Sequence, residues 1–219
     1  MWFSGSDGST YQTGYALSLN GVNWVAHPDN PVLPVGSNGS WDEQEANAPA
    51  VIKDGGLYKM WYTGCDALYE ECSVGFAASL NEHDWVKHPG NPVLMGAPGE
   101  WDEGFIGWPA VLKNGDMFEM WYSSNGKIGR ATSSNGVFWT KDANNPVLSG
   151  GWGGKAVWQP AVLLEDGTYK MWYRQGPAAD SSIGYAESAD GIHWTPSLRH
   201  TVLVPCEMCL LYLPIVMTR

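Results

Sequence analysis

Lys53-Asp54-Gly55-Gly56-Leu57-Tyr58-Lys59-Met60-Trp61-Tyr62-Thr63 contains the pattern that decides the fold. Its centre, Met-Trp-aromatic followed by Ser, Thr or Arg, occurs four times. The copies are Met1-Trp2-Phe3-Ser4, Met60-Trp61-Tyr62-Thr63, Met120-Trp121-Tyr122-Ser123 and Met171-Trp172-Tyr173-Arg174. Successive copies lie 59, 60 and 51 residues apart. A period of about 55 residues marks one supersecondary unit used repeatedly. The run is aromatic-rich and alternating, so it reads as a strand.

Around this strand the same phrases return in the same order. A Pro-led run precedes it at Pro49-Ala50-Val51-Ile52, Pro109-Ala110-Val111-Leu112 and Pro160-Ala161-Val162-Leu163. Between the two strands stand Lys53-Asp54-Gly55-Gly56, Lys113-Asn114-Gly115-Asp116 and Glu165-Asp166-Gly167, rich in residues that tolerate positive φ in tight hairpins. A third run follows a loop of variable length: Gly14-Tyr15-Ala16, Val74-Gly75-Phe76-Ala77, Ile128-Gly129-Arg130-Ala131 and Ile183-Gly184-Tyr185-Ala186. It ends in a Ser-x-(Asn/Asp)-Gly-x-x-Trp turn, from Ser18 to Trp24, from Ser133 or Ser134 to Trp139, and from Ser188 to Trp194, with Asn81 to Trp85 a degenerate copy. Asn-Pro-Val-Leu, at 30 to 33, 91 to 94 and 145 to 148, reads as the fourth strand.

Four short antiparallel strands per unit, repeated, predict an all-β fold, a β-propeller of four-stranded blades with little helix. The 13 Trp and 10 Tyr residues supply flat faces to fill the space between twisted sheets. The expected organisation is a single propeller domain over 1–219 with four repeat units: 1–40 with 205–219, 41–100, 101–151 and 152–204. The chain opens at a second strand, and Leu213-Pro214-Ile215-Val216-Met217 matches the Pro-led first strand. Two readings of the ends stand open. In one, this C-terminal strand completes the first blade and closes the ring. In the other, the chain is a fragment of a longer propeller. An open ring would expose blade edges through which copies could associate.

Composition narrows the partners. With 12 basic and 23 acidic residues the formal charge is −11, which argues against nucleic acid and anionic membranes. No apolar stretch approaches a membrane span, and the amino end shows no signal peptide, an absence that matters only if Met1 is the natural start. Cys65 and Cys72 share one predicted loop that could close as a disulfide ring in an oxidising compartment, so an extracellular or periplasmic setting is expected. Cys206-x-x-Cys209 lacks the second ligand pair of a zinc site, and no metal or cofactor is expected. His27 and His88 share one repeat position before a Pro and read as structural.

The irregular loops mark the working face. Trp41-Asp42 and Trp101-Asp102 lie there, and aromatic rings beside carboxylates suit a sugar. As repeat positions, however, these four read first as caps of the blade core. The residues read as breaking the repeat are the better candidates: Glu45 and Glu103 as catalytic carboxylates, and Asn47, Trp108, Trp158, Gln159 and Arg174 as substrate-binding groups.

The phrases Pro-Ala-Val-(Ile/Leu), Tyr-Lys-Met-Trp-Tyr, Ile-Gly-Tyr-Ala-x-Ser-x-Asp-Gly-x-x-Trp and Asn-Pro-Val-Leu resemble the repeats of propeller glycoside hydrolases of families 43 and 32, from Met1 to about Leu203. The resemblance implies a carbohydrate-active protein acting on arabinose-, xylose- or fructose-containing glycans, with a general acid and a second carboxylate flanking the scissile bond. It also implies five blades, from which four sets of strands depart unless the chain is a fragment of a five-bladed propeller, and acids next to, or one residue removed from, the strand-one Pro. Here those positions hold Asn47-Ala48, Gly107-Trp108, Trp158-Gln159 and Tyr212-Leu213, none of them acidic. A non-catalytic carbohydrate-binding or scaffold propeller therefore remains the alternative.

Overall fold

A computed structural model describes residues 1–197. The expected strand at Leu213–Met217 lies outside the described residues, as do Thr201-Val202-Leu203 and the Cys206/Cys209 pair. Two compact units divide the chain: Met1–Gly96 with Gly104–Gly107, and Ala97–Glu103 with the described residues from Trp108 onward.

The first unit contains β1 (Trp2–Ser6), β2 (Tyr11–Leu17), β3 (Val25–Ala26), β4 (Glu45–Asp54), β5 (Leu57–Cys65), β6 (Cys72–Ser79) and β7 (Val86–Lys87). β4 to β7 form an antiparallel meander, while β1 to β3 form a three-stranded one that begins at the second strand. Parallel pairing of Tyr11 and Gln12 with Glu45 and Ala46 joins the two meanders through β2 and β4. Next come β8 (Gly107–Asn114), β9 (Met117–Ser124), β10 (Lys127–Ser133) and β11 (Thr140–Lys141), then β12 (Val157–Glu165), β13 (Thr168–Gln175), β14 (Ser182–Ser188) and β15 (Thr195–Pro196). Each of these sets is again a four-stranded meander. Helix among the described residues is confined to 3₁₀ turns at Trp152–Gly154 and Ala178–Asp180.

In its two middle copies the repeated second strand is buried on both faces. Met60, Trp61 and Tyr62, and again Met120, Trp121 and Tyr122, are fully buried, because sheets covered on both sides need continuous apolar strands. Each unit has its own core: Trp2, Leu33, Met60 and Tyr62 in the first, and Trp121, Leu148, Met171 and Tyr173 in the second. The Gly of the third strand is explained by register. Tyr62 faces Gly75 and Tyr173 faces Gly184 across the ladder, and a Cβ at either glycine would lie 2.4 Å from the tyrosine ring. The aromatic and the glycine are two halves of one contact, which is why they repeat together.

The fourth strand differs from the sequence expectation. The paired segments are the two-residue strands β3, β7, β11 and β15, which follow the Gly turns. Asn-Pro-Val-Leu touches strand three only through single bridges, Thr13 with Leu33, Val74 with Leu94 and Ile128 with Leu148. Between the two segments the Asn side chain substitutes for a strand backbone. The Asn30 Oδ1 accepts from Tyr15 N at 2.7 Å while its Nδ2 donates to Tyr15 O at 2.9 Å, and Asn91 and Asn145 repeat this on Phe76 and Arg130. The Asn-Pro bonds at these three positions are cis. Proline, lacking an N–H, could not continue the ladder there.

The Gly turns are also held by side chains. In the third repeat Ser133, rather than Ser134, accepts from Gly136 N at 2.8 Å, and Trp139 Nε1 donates to Gly136 O at 3.0 Å. His27 and His88 close their turns by accepting from Asp29 N and Gly90 N.

Candidate functional site

Strand one breaks its ladder just before the Pro in β4 and β12. Register slips between Asn47 and Ala50 in β4 and between Trp158 and Ala161 in β12. The residue before Pro is left-handed each time, with φ of 49° at Ala48, 49° at Trp108 and 54° at Gln159. Non-glycine residues are seldom found there, and such bulges re-aim neighbouring side chains. The strain is offset by a hydrogen bond from the preceding meander. Ser4 Oγ accepts from Ala48 N at 2.9 Å, and Ser123 Oγ accepts from Gln159 N at 2.7 Å. Where the residue after Met-Trp-aromatic is a serine, at Ser4 and Ser123, it is thus a clamp for the following bulge.

In the first unit the bulge presents Glu45 and Asn47. Glu45 pairs in register with Cys65 on one side and Tyr11 on the other. Asn47 Nδ2 donates to Glu45 Oε2 at 3.1 Å. The other neighbour of that oxygen is Cys65 Sγ at 3.6 Å, but Cys65 is bonded to Cys72 and carries no thiol hydrogen, so the contact is an apolar wall. Burial pushes the Glu45 carboxyl above its ordinary pKa, opposed only by the Asn47 hydrogen bond. Asn47 is buried, and its Oδ1 finds no hydrogen-bond partner among the described residues.

Around this pair the structure adds residues that sequence reading overlooks. The Cys65–Cys72 bridge closes the 66–71 loop, and that loop holds Tyr69, which is 47% exposed. Burial raises the Tyr69 phenol, a hydrogen bond with Gln44 lowers it, and the Glu45 charge raises it further. Glu45 therefore stands among Tyr11, Tyr69 and a disulfide. The one sequence signal is the cysteine pair, since the parallel β2–β4 contact that brings Tyr11 alongside has no motif. At the place in strand one held by Glu45, the other sets carry Phe105 and Ala156.

In the second unit the same bulge presents different groups. Trp108 and Trp158 meet edge to face, ring centroids 5.9 Å apart at 85°. Gln159 sits at the left-handed position, and Arg174 on β13 is the register partner of Trp158. Glu103, read from sequence as breaking the repeat, in fact repeats Glu43. Glu103 accepts from Gly99 N at 3.0 Å as Glu43 accepts from Gly39 N at 2.6 Å. Asn125 Nδ2 pins the same loop by donating to Trp101 O and Glu103 O, both at 3.1 Å.

Asp42 and Asp102 are structural, as their repeat positions indicate. Asp42 accepts from Tyr62 Oη at 3.0 Å and Lys87 Nζ at 2.7 Å, and Asp102 from Tyr122 Oη at 3.1 Å and Lys141 Nζ at 2.6 Å. Trp41 packs on Tyr62 and Trp101 on Tyr122, at 5.8 and 6.0 Å between ring centroids. Trp152, the third residue of that series, is instead 55% exposed.

Comparison with known proteins agrees with this architecture. An uncharacterised protein of Mycobacterium tuberculosis is 26% identical over 211 residues, covering 89% of this chain and 70% of its own length. Among solved structures, a complex of BT0996 with RGII superposes with a TM-score of 0.73 at 21% identity, over 88% of this chain and 66% of that one. Fructan 1-exohydrolase IIa from Cichorium intybus superposes with a TM-score of 0.66 at 16% identity, over 89% of this chain and 41% of that one. No family model matches the chain. The fold is that of the propeller glycoside hydrolases. The chain spans just under two thirds of the first of these structures and less than half of the second.

Proposed function

We propose that this chain is a carbohydrate-active propeller of the glycoside hydrolase type, with Glu45 as the acid that protonates a glycosidic oxygen and Asn47 as a hydroxyl-binding partner. The observation that carries the reading is the buried Asn47 Oδ1, an acceptor unpartnered among the described residues, beside a carboxyl whose pKa is raised by burial. Leaving such an acceptor unsatisfied costs about 1–3 kcal/mol, and a sugar hydroxyl would supply the missing donor. A carboxyl whose pKa is raised by burial suits proton donation to a leaving oxygen. The aromatic rings of Tyr11 and Tyr69 suit the C–H face of a sugar. The substrate class is a glycan containing arabinose, xylose or fructose, in keeping with the repeat resemblance.

Hydrolysis needs a second carboxylate, and Glu103, the other acid named from sequence, is engaged by Gly99 N in its own loop. That favours a second reading, a binding propeller without turnover. Assay of the 219-residue chain on arabinan, xylan, inulin and levan oligosaccharides, with calorimetry on the same set, separates the two. Product formation lost in Glu45→Gln supports catalysis. Binding without product, weakened by Asn47→Ala, supports the binding module. No binding to any oligosaccharide overturns both.

A further inference from the structure

Arg174 occupies the clamp position that Ser4 and Ser123 hold in two earlier copies of the repeat. Those hydroxyls accept a backbone N–H. A guanidinium carries five donors and no acceptor, so Arg174 cannot perform that task. Nothing else in the described structure employs it either. Its guanidinium makes no ion pair or hydrogen bond with any described residue, and its buried Nε has no partner among them. Arg130, whose buried Nε is likewise without a hydrogen-bond partner, shows the contrast in its carboxylates. Its guanidinium lies 3.1 Å from Glu119 Oε2 and 2.9 Å from Asp142 Oδ2. In a chain with 23 acidic residues against 12 basic ones, an arginine with no carboxylate at hand is an unmet demand for an anion.

The surroundings specify what kind of anion. Arg174 is the register partner of Trp158, and paired residues on adjacent strands project to the same side of the sheet. Trp158 in turn meets Trp108 edge to face. An indole beside an unpaired guanidinium offers an apolar ring for a sugar face and a planar fork for a carboxylate. We infer that Arg174, with Trp158 and Trp108, forms a subsite for a uronic acid residue, the sugar carboxylate taking the place of the missing acidic partner. The inference rests on the carbohydrate reading above and names an acidic sugar within it. The net charge of −11 does not oppose it, since charges farther than about 10 Å are largely screened at physiological salt while a partly buried pair is not.

The test is calorimetry of the 219-residue chain with oligogalacturonates and oligoglucuronates, and with the same oligosaccharides carboxyl-reduced to neutral sugars. At least one acidic series binds about tenfold or more tighter than its reduced form, as expected for hydrogen bonds to a charged group. Arg174→Gln removes that preference and leaves affinity for the reduced sugar unchanged. Arg174→Lys retains part of it, because an ammonium is a point charge without the fork. Equal affinity of wild type for acidic and reduced forms overturns the inference without any variant. So does an Arg174→Gln loss that falls equally on both forms, which would mark a packing role. Binding of neither form also overturns the uronate subsite, whereas the carbohydrate reading falls only if the arabinan, xylan, inulin and levan oligosaccharides fail to bind as well.

Discussion

At Asn47-Ala48-Pro49 and at Trp158-Gln159-Pro160 the chain makes the same break in strand one, with the same left-handed residue before Pro and a serine clamp from the meander before. The groups displayed there are opposite in character. The first bulge holds a carboxyl, an amide and a disulfide, while the second holds two indoles and an unpaired guanidinium. On the proposed reading, a shared backbone device with different side chains divides two tasks, proton donation and recognition, between two units of one repeat. The proposed functional groups sit where the repeat is broken, because the repeat itself is occupied in holding the blades. Asp42 and Asp102 illustrate the occupied kind, each held by a tyrosine and a lysine.

The largest expected effect separates the two tasks. Glu45→Gln lowers kcat by about 10²- to 10⁴-fold with little change in glycan affinity, the range for loss of a general acid. Arg174→Gln should act instead on Kd. If both variants shift kcat and Kd alike, the division of labour is wrong.

Next in size is the disulfide, which only the first bulge possesses. Cys65→Ser with Cys72→Ser is expected to lower the unfolding free energy by roughly 2–3 kcal/mol, the entropy of a loop of about eight residues. Hydrogen exchange should quicken from β5 to β6 and stay unchanged from β13 to β14. Equal acceleration in both hairpins would contradict a local role for the bridge.

Smaller again are the clamps. Ser4→Ala and Ser123→Ala each leave a bulge N–H without its acceptor and should each destabilise by about 1–3 kcal/mol, toward the low end where water can reach the amide. Similar values at the two sites sharpen the claim of one shared device. A neutral result at either would show that bulge held by other means.

The smallest effect is a pH dependence confined to the first unit. Because the folded-state pKa of Glu45 lies above its unfolded value, this group favours the folded state at pH below the ordinary carboxylate range. That contribution is lost as pH rises through the folded pKa. Thermal melts should therefore show Glu45→Gln gaining stability relative to wild type between acid and neutral pH. A difference independent of pH would mean that burial does not perturb Glu45.

Much of the architecture is legible in the residues. The spacing of Met-Trp-aromatic, the Pro-led run and the Gly turns predicts strands one to three, because burial on both faces demands a recognisable apolar pattern. Sequence pattern misplaces the fourth strand, since an Asn side chain that imitates backbone has no signature in hydrophobic periodicity. Glu103 shares the triplet Trp-Asp-Glu with Glu43, so its place in the repeat is legible at 41–43 and 101–103, while its hydrogen bond to a loop amide is not, since an acidic residue in a loop does not announce that use.

The sequence by itself determined the repeat, the strand class, the glycine beneath each tyrosine and the absence of acids next to Pro, because these follow from side-chain volume and period. Tertiary structure decided which polar groups are satisfied. That Asp42 is engaged, that Asn47 Oδ1 and Arg174 have no described partner, and that Tyr11 lies beside Glu45 depend on pairings between residues distant in the chain. Satisfaction of a polar atom is a property of its neighbours in space, and the order of residues does not encode those neighbours locally.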